Sequence, residues 1–379
     1  MSLENKEVYN DCSMIGRIKK ILFPSYQALN IIEVNEKNLI HNYKYLSSIN
    51  KKIKIAPVLK SNAYGHGLVL TAKILEKLNP PFFCVDSLYE AYELTNNGIK
   101  TPVLIMGFVD PVSLATKRLP YSFAVFSKQQ VDTLAEHQPH ANIHIFIDTG
   151  MHREGILLED LDEFIDYVGK KELKIEGLMS HFGESENRNN PLTKRQINNF
   201  KSAIKAINPP FVHISNSGGI LANYGLGNVG RSGIALFGIS PGLPDEKLKP
   251  TLTLKTHLAQ IKKIKKGESV GYSFTFTAKN NMTIGILPIG YNDGIDRRLS
   301  NKGLVKLGNI DCRIIGRISM NITTIDISEV KSPKVGSEVI VYSAKNLDKN
   351  SIRNMAEAAN TIPYTLLTGL TMSIKRIVK

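Results

Sequence analysis

Short apolar, β-branched runs alternate with longer stretches of helical spacing from residue 54 to about residue 235, the pattern expected of parallel βα units. Eight runs read as strands: KIAPVLK ending at Lys60, FFCVDS near Ser87, VLIMGF near Gly107, YSFAVF near Ser127, NIHIFID near Asp148, KIEGLMSH at His181, FVHISNS near Ser217 and GNVGR near Arg231. Between them LVLTAKILEKLN, SLYEAYELTNNG, LEDLDEFIDYVGKK and TKRQINNFKSAIKAIN each carry one apolar face, and Gly98 stands where a helix would end. Eight such units predict a (β/α)8 barrel, more compact than the roughly 250 residues such barrels usually occupy.

The pattern changes after SPGLPDEKLKP, a Pro- and Gly-containing passage without periodicity. TLTLKTHLAQIKKI, ESVGYSFTFTA, MTIGILPIGY, GLVKLGNIDCRIIGRISM and SEVIVYS then read as antiparallel strands, and SIRNMAEAAN as the one clear late helix. The expected fold class is α/β, a TIM-type (β/α)8 barrel followed by a mainly β C-terminal domain. The expected division is an extension over residues 1–27, with the β domain as its expected neighbour, a barrel over 28–243 and the β domain over 244–379.

At 379 residues, with 42% apolar and 22% charged positions, the chain supports two ordinary cores and excludes disordered, collagenous and coiled-coil classes. Lys plus Arg number 48 against 34 for Asp plus Glu, and a net charge of +14 raises nucleic acid or anionic small molecules as partners. The densest basic cluster, Lys262, Lys263, Lys265 and Lys266, lacks interleaved aromatics. A solvated surface accounts for it, and no nucleic-acid partner is expected. Cys12, Cys84 and Cys312 are odd in number and far apart, which excludes a disulfide framework and offers no metal spacing. Cys84 and Cys312 read as small buried apolar residues. No apolar run reaches the roughly 18 residues of a membrane span, and the start lacks an apolar signal core, so a cytoplasmic location is expected.

Barrel active sites form at the C-terminal ends of the strands. There the first barrel strand delivers Lys60 into VLKSNAYGHG, where partial desolvation would make it a candidate imine-forming amine; a snorkelling surface lysine is the plainer alternative. SNSGG after the seventh strand and RSGIALFG after the eighth offer hydroxyls and glycine amides where barrels frequently bind phosphate. A lysine facing a phosphate cup across a barrel mouth suggests pyridoxal phosphate. His66 reads as structural.

The motifs VLKSNAYGHG, DTGMHREG, MSHF, ISNSGG, GRSGIALFG, GYSFTFTA, GYNDG, GRISMN and NTIPYTLLTGL resemble, in order, those of the bacterial alanine racemase family, from about residue 28 to the C-terminus. The resemblance implies a fold-type III pyridoxal phosphate enzyme, a homodimer interconverting L- and D-alanine for peptidoglycan synthesis. It implies that Lys60 holds the cofactor as a Schiff base, that Tyr64 hydrogen-bonds the phosphate, and that Ser217, Gly233 and Ile234 complete the cup beside Asn216. Arg153 corresponds to an arginine near the pyridoxal hydroxyl and the substrate carboxylate, Met151 to a backbone amide that binds the carboxylate, and Met320 to a second carboxylate position. Arg231 corresponds to the arginine facing the pyridine nitrogen. Tyr272 would act on the other subunit's cofactor, supported by His181 and Arg231. Tyr291, Arg297, Arg317 and Met372 would line the approach to the site.

Racemisation removes a proton from one face of the α-carbon and returns one to the other, so it needs two bases. Lys60 and Tyr272 are the implied pair. A free tyrosine titrates near ~10, so Tyr272 needs positive charge behind it to work at neutral pH. Arg231, with an ordinary pKa above ~12, would leave the pyridine nitrogen unprotonated. The sequence departs from the family at Phe146, where many members carry a carbamylated lysine that orients the arginine, at Ser319 and Asn321, which replace a thiol and a carboxylate, and at Met372 and Ser373 in place of a gate Tyr-Arg pair. These departures admit a rival, a racemase of broader range acting on serine or basic amino acids. A fold-type III decarboxylase and a non-catalytic pyridoxal phosphate-binding protein are the remaining readings.

Overall fold

The computed structural model describes residues 27–242 and 244–379. Most of the expected extension, residues 1–26, lies outside the described residues. The first strand is β1 (Ile31–Val34), followed by a helix over Glu36–Ile49 whose Asn35 cap accepts from the Asn38 amide. The barrel strands follow as β2 (Lys54–Pro57), β3 (Phe83–Val85), β4 (Val103–Ile105), β5 (Ser122–Val125), β6 (Asn142–Asp148), β8 (Lys174–Met179), β9 (Phe211–His213) and β10 (Val229–Ser232), with a two-residue β7 (Ile156–Leu157) beside β6. Seven of the eight expected runs contain their strands, and the eighth, GNVGR, stops one residue short of the end of β10.

The strands pair in parallel as β3-β4-β5-β6-β8-β9, and β10 pairs with β2. A bridge between Val58 and Cys84, and the Arg231 amide donating to Ser215 O at 2.9 Å, join the two sheets into a barrel. Strands buried on both faces read as unbroken apolar runs, which is why they were legible. One face fills the barrel with apolar side chains of mixed size, among them Ala56, Leu104, Ala124, Phe146 and Met179. The other packs on the helices through a second cluster containing Phe83, Ile145 and Phe200. Ser87 caps the helix Leu88–Asn96, and Gly98, at φ +82°, turns the chain out of it.

The second domain comprises β11 (Leu252–His257), β12 (Gln260–Ile264), β13 (Ser269–Val270), β14 (Phe276–Thr277), β15 (Met282–Leu287), β16 (Leu304–Leu307), β17 (Ile310–Arg313), β18 (Thr323–Asp326), β19 (Glu338–Tyr342) and β20 (Lys375–Val378). A six-stranded sheet runs β17-β16-β19-β11-β1-β20, and a three-stranded one β12-β15-β18. The barrel boundary expected at residue 28 is thereby corrected. β1 pairs antiparallel with β11 and parallel with β20, because Ile32 and Val34 bury against the apolar face of this sheet. ESVGYSFTFTA is not one strand either. Its centre is a tight turn, Tyr272–Phe274, entered through Gly271 at φ +75°, with Ser273 and Phe274 also left-handed. Besides the expected helix, found over Ile352–Ala358, a second one covers Pro363–Thr368 and packs on the loop after Lys60: a Cβ on Gly65 would lie 2.1 Å from Leu367 O. Among the described residues no helix is long and apolar enough to cross a membrane.

Candidate active site

The C-terminal ends of the barrel strands enclose a cleft of about 330 Å³. Lys60, Tyr64, Arg153, His181, Asn216, Ser217, Arg231, Gly233 and Ile234 all line it, so nine residues scattered over the sequence converge there.

Lys60 opens a turn in which Ser61, Asn62, Ala63 and Tyr64 all have φ between +51° and +56°. Left-handed backbone costs a non-glycine residue roughly 1–2 kcal/mol, so four in succession need external support. Glu90 supplies part of it, accepting from the Ser61 amide at 2.6 Å and the Asp86 amide at 2.9 Å, while Asn62 Oδ1 accepts from Leu68 N at 2.8 Å. The reversal brings Lys60 and Tyr64 into one cleft. Lys60 Nζ pairs with Asp86 Oδ1 at 3.1 Å and its side chain is 41% exposed. It is therefore less desolvated than its strand-end position suggested, and an exposed pair worth about 0–1 kcal/mol restrains the amine only weakly.

Opposite the lysine, Ser217 Oγ accepts from the amides of Gly233 at 3.1 Å and Ala235 at 3.3 Å. Asn216 caps the short turn that follows and accepts from Gly219 N at 3.0 Å. A Cβ on Gly233 would fall 2.2 Å from Tyr64 Oη, and one on Gly218 would fall 2.2 Å from Ser185 Oγ, so both glycines are required by close approach. Burial raises the Tyr64 phenol above its ordinary pKa, keeping it a donor.

Arg231 is 3% exposed. Its Nη1 donates to His213 Nδ1 at 2.5 Å and His213 O at 3.0 Å; its Nη2 donates to Ser180 O at 2.5 Å and His181 Nδ1 at 3.2 Å. Burial lowers its pKa to about 10, which still leaves it charged at neutral pH. His181 is pushed down to about 3 by burial and by the Arg231, Arg153 and Lys60 charges, so its ring is neutral. Since Nδ1 accepts from a guanidinium, the single proton of His181 is on Nε2.

A sequence profile of the alanine racemase N-terminal domain matches residues 34–241, and one of the C-terminal domain matches residues 251–378. The chain belongs to the alanine racemase family. Among its relatives, an alanine racemase of Fusobacterium nucleatum is 36% identical over 92% of this chain and 99% of its own length. Among solved structures, alanine racemase of Clostridium difficile 630 matches with a TM-score of 0.87 at 28% identity, covering 94% of this chain and 97% of that one. Alanine racemase of Bartonella henselae with covalently bound pyridoxal phosphate matches with a TM-score of 0.83 at 26% identity, covering 93% and 100%.

The cleft fits the cofactor of the alanine racemase family on its own chemistry. It offers a primary amine for an aldehyde, the hydroxyls of Tyr64 and Ser217, and a lining without side chains at Gly218 and Gly233, where Ser185 Oγ and Tyr64 Oη approach the backbone closely. Met151 does not fit its implied role: its amide already donates to Asp148 Oδ1 at 3.0 Å, because that carboxylate gathers the amides of Gly150, Met151 and His152. Arg153 Nε lies 3.5 Å from Glu154, with Phe146 buried in the barrel below. Tyr272, Tyr291, Arg297, Arg317, Met320 and Met372 are absent from the cleft lining. They belong to the second domain, where Tyr272 is 66% exposed, Met320 56% and Met372 69%. Tyr291 and Met320 lie on touching turns, the Tyr291 amide donating to Ser319 O at 3.0 Å, and Gly271 packs on the Arg317 backbone. Sequence reasoning passed over Asp86 and His213. Both stand at strand ends, in FFCVDS and FVHISNS, and the rule that singled out Lys60 applies equally to them.

Proposed function

We propose that this chain is a pyridoxal phosphate-dependent alanine racemase that interconverts L- and D-alanine with a base on each face of the substrate. The observation that carries the reading is the convergence of Lys60, the Tyr64–Ser217–Gly233 cup and buried Arg231 in one cleft. Pyridoxal phosphate, when bound, withdraws electrons from the substrate's α-carbon and so makes its proton acidic.

The residues divide the remaining work. Lys60 would hold the cofactor covalently and exchange a proton on one face. Tyr64 and Ser217 would donate to the phosphate, which would take over the Gly233 and Ala235 amides from Ser217 Oγ, fixing the distance between the cup and the lysine. Arg153, more than half exposed in the free cleft, would turn from Glu154 to a substrate carboxylate. Arg231 is held by four acceptors and keeps its proton, so it donates to a ring nitrogen without protonating it. Tyr272 would exchange the second proton. Its exposure within one chain favours a homodimer in which the partner's Tyr272 enters this cleft. There the His181 Nε2–H would donate to the phenol oxygen, and the positive charge favouring its ionised form would come from Arg231, since His181 itself is neutral. Tyr291, Arg297, Arg317, Met320 and Met372 would approach the same mouth from the partner. D-alanine for peptidoglycan, made in the cytoplasm, is the proposed use.

The test is borohydride reduction of the cofactor-loaded protein, peptide mass spectrometry, and α-proton exchange across a panel of amino acids. A pyridoxyl adduct on Lys60 and fastest exchange with alanine are expected. An adduct on another lysine would overturn the assignment.

A further inference from the structure

Among the described residues, a column of polar side chains crosses the apolar barrel interior. His213 Nε2 lies 2.8 Å from His144 Nδ1, and His144 Nε2 lies 3.2 Å from Glu176 Oε2. Ser122 Oγ donates to the same carboxylate oxygen at 2.5 Å, and Asn142 Nδ2 donates to the other at 3.2 Å. Ser122 and Asn142 begin β5 and β6, whereas Arg231 lies near the C-terminal end of β10. The column therefore spans the barrel from its N-terminal end to the cleft floor.

Its two ends determine every proton within it. Arg231 can only donate, so His213 Nδ1 is unprotonated and Nε2 carries the hydrogen. That hydrogen points at His144 Nδ1, which must accept, so His144 carries its own hydrogen on Nε2 and donates to Glu176. An ionised carboxylate can only accept, and the chain closes without a clash. The electrostatics agree. Burial, with the Arg231 charge, holds His213 well below its ordinary pKa; burial likewise lowers His144 against the pull of Glu176. Burial opposes ionisation of Glu176, but the hydrogen bonds from His144 and Ser122 outweigh it and lower its pKa. Among the described residues no carboxylate bonds to Arg231, whose four partners there are two carbonyls and two imidazoles.

The space is built for this column. His144 pairs with Gly177 across β6 and β8, and a Cβ there would lie 2.2 Å from His144 Nδ1. A register shift in the same place leaves Glu176 as the extra residue. Phe82 meets the His144 ring edge-on at 5.4 Å and Phe211 stacks on it at 6.0 Å, which excludes water from between the two imidazoles.

We propose that His144 and Glu176 are positioning residues that act on Arg231 through His213: they fix the proton of His213 on Nε2 and provide, across two neutral rings, the negative charge that faces the buried guanidinium. The proposal rests on the reading that Arg231 faces the cofactor ring. Without His144, the His213 N–H becomes an orphaned buried donor and the ring loses its reason to present Nδ1 to Arg231.

The test uses the full chain. Imidazole 15N shifts of the cofactor-free protein should show both rings neutral and protonated on Nε2; a proton on Nδ1 of either ring, or an imidazolium, overturns the proposal with no variant needed. His144→Leu should split the His213 signals and, in the loaded enzyme with alanine, raise the ratio of pyruvate formed to racemisation about tenfold. His144→Gln restores an acceptor and should return that ratio to within about twofold of wild type; Glu176→Gln should give a rise of about threefold. Equal ratios for His144→Leu and His144→Gln, or a Glu176→Gln ratio at the wild-type value, would reduce the column to packing. Borohydride labelling of Lys60 in the same variants separates this outcome from failure of the racemase reading.

Discussion

The two halves of the chain prepare their functional groups in opposite ways. In the barrel, Arg231 and His213 are buried, both His213 and half-buried His181 accept from Arg231, and the turn after Lys60 is braced by Glu90 before any ligand arrives. In the β domain, Tyr272, Met320 and Met372 stand on exposed turns away from the cleft. The barrel half is preorganised, and Tyr364 and Thr368 of the β half complete its cleft; under the proposed homodimer the exposed turns of the β half would gain their surroundings from a second copy. The difference locates the chemistry that depends on assembly.

Breaking the preorganised half should have the largest effect. Lys60→Ala removes the covalent anchor and one base, and racemisation should fall by at least about 10⁴, the upper end of what a general base contributes. A racemisation assay with cofactor in excess checks this; retention of a tenth of the activity would contradict the assignment. Tyr272→Phe should cost about 10² to 10⁴ while cofactor binding stays intact. Mixing Lys60→Ala with Tyr272→Phe protomers sharpens the contrast: half of randomly exchanged dimers are hybrids with one complete site, so about a quarter of wild-type activity should return. No recovery despite subunit exchange would place both bases in one chain.

Acid should also separate the two halves. His66 is held at about 4 by burial and His181 at about 3 by burial and nearby cations, with His144 and His213 also lowered, and all four lie in the barrel half. A histidine with a depressed folded pKa takes up its proton first when unfolded, so stability is full above about pH 6.5 and falls as pH drops toward the folded value. His66 and His181 each cost about 2 kcal/mol between pH 6.5 and 5, and the lowered His144 and His213 act in the same direction. Urea denaturation of the cofactor-free protein at pH 7 and 5, followed by hydrogen exchange, should show the barrel strands opening first at the lower pH. Equal loss of protection in the β11–β19 pair would contradict it.

The smallest expected effect is steric. Gly233→Ala places a methyl 2.2 Å from Tyr64 Oη, an overpacking that typically costs about 1–3 kcal/mol. Cofactor affinity should drop about tenfold to a hundredfold with Lys60 labelling still specific. Unchanged affinity would mean that Tyr64 and Gly233 do not share the phosphate cup.

What the sequence determined by itself was the order of elements and the polar groups at their ends. The eight barrel runs were legible because strands covered on both faces must be apolar throughout, and Lys60, Ser217 and Arg231 stood out as the polar residues that end them. Tertiary structure alone decided three further things. β1 joins the second sheet because its pairing partners lie more than 200 residues away, beyond any local periodicity. The left-handed turn over Ser61–Tyr64 uses residues that, Asn62 apart, have little propensity for it, and Glu90, the Asn62–Leu68 hydrogen bond and the packing around Gly65 maintain it. The column from Glu176 to Arg231 spends polar side chains at positions where the pattern expects apolar ones. A buried imidazole is stable only if both nitrogens find partners, and which partners it finds depends on strand register and barrel closure, not on its neighbours in the chain.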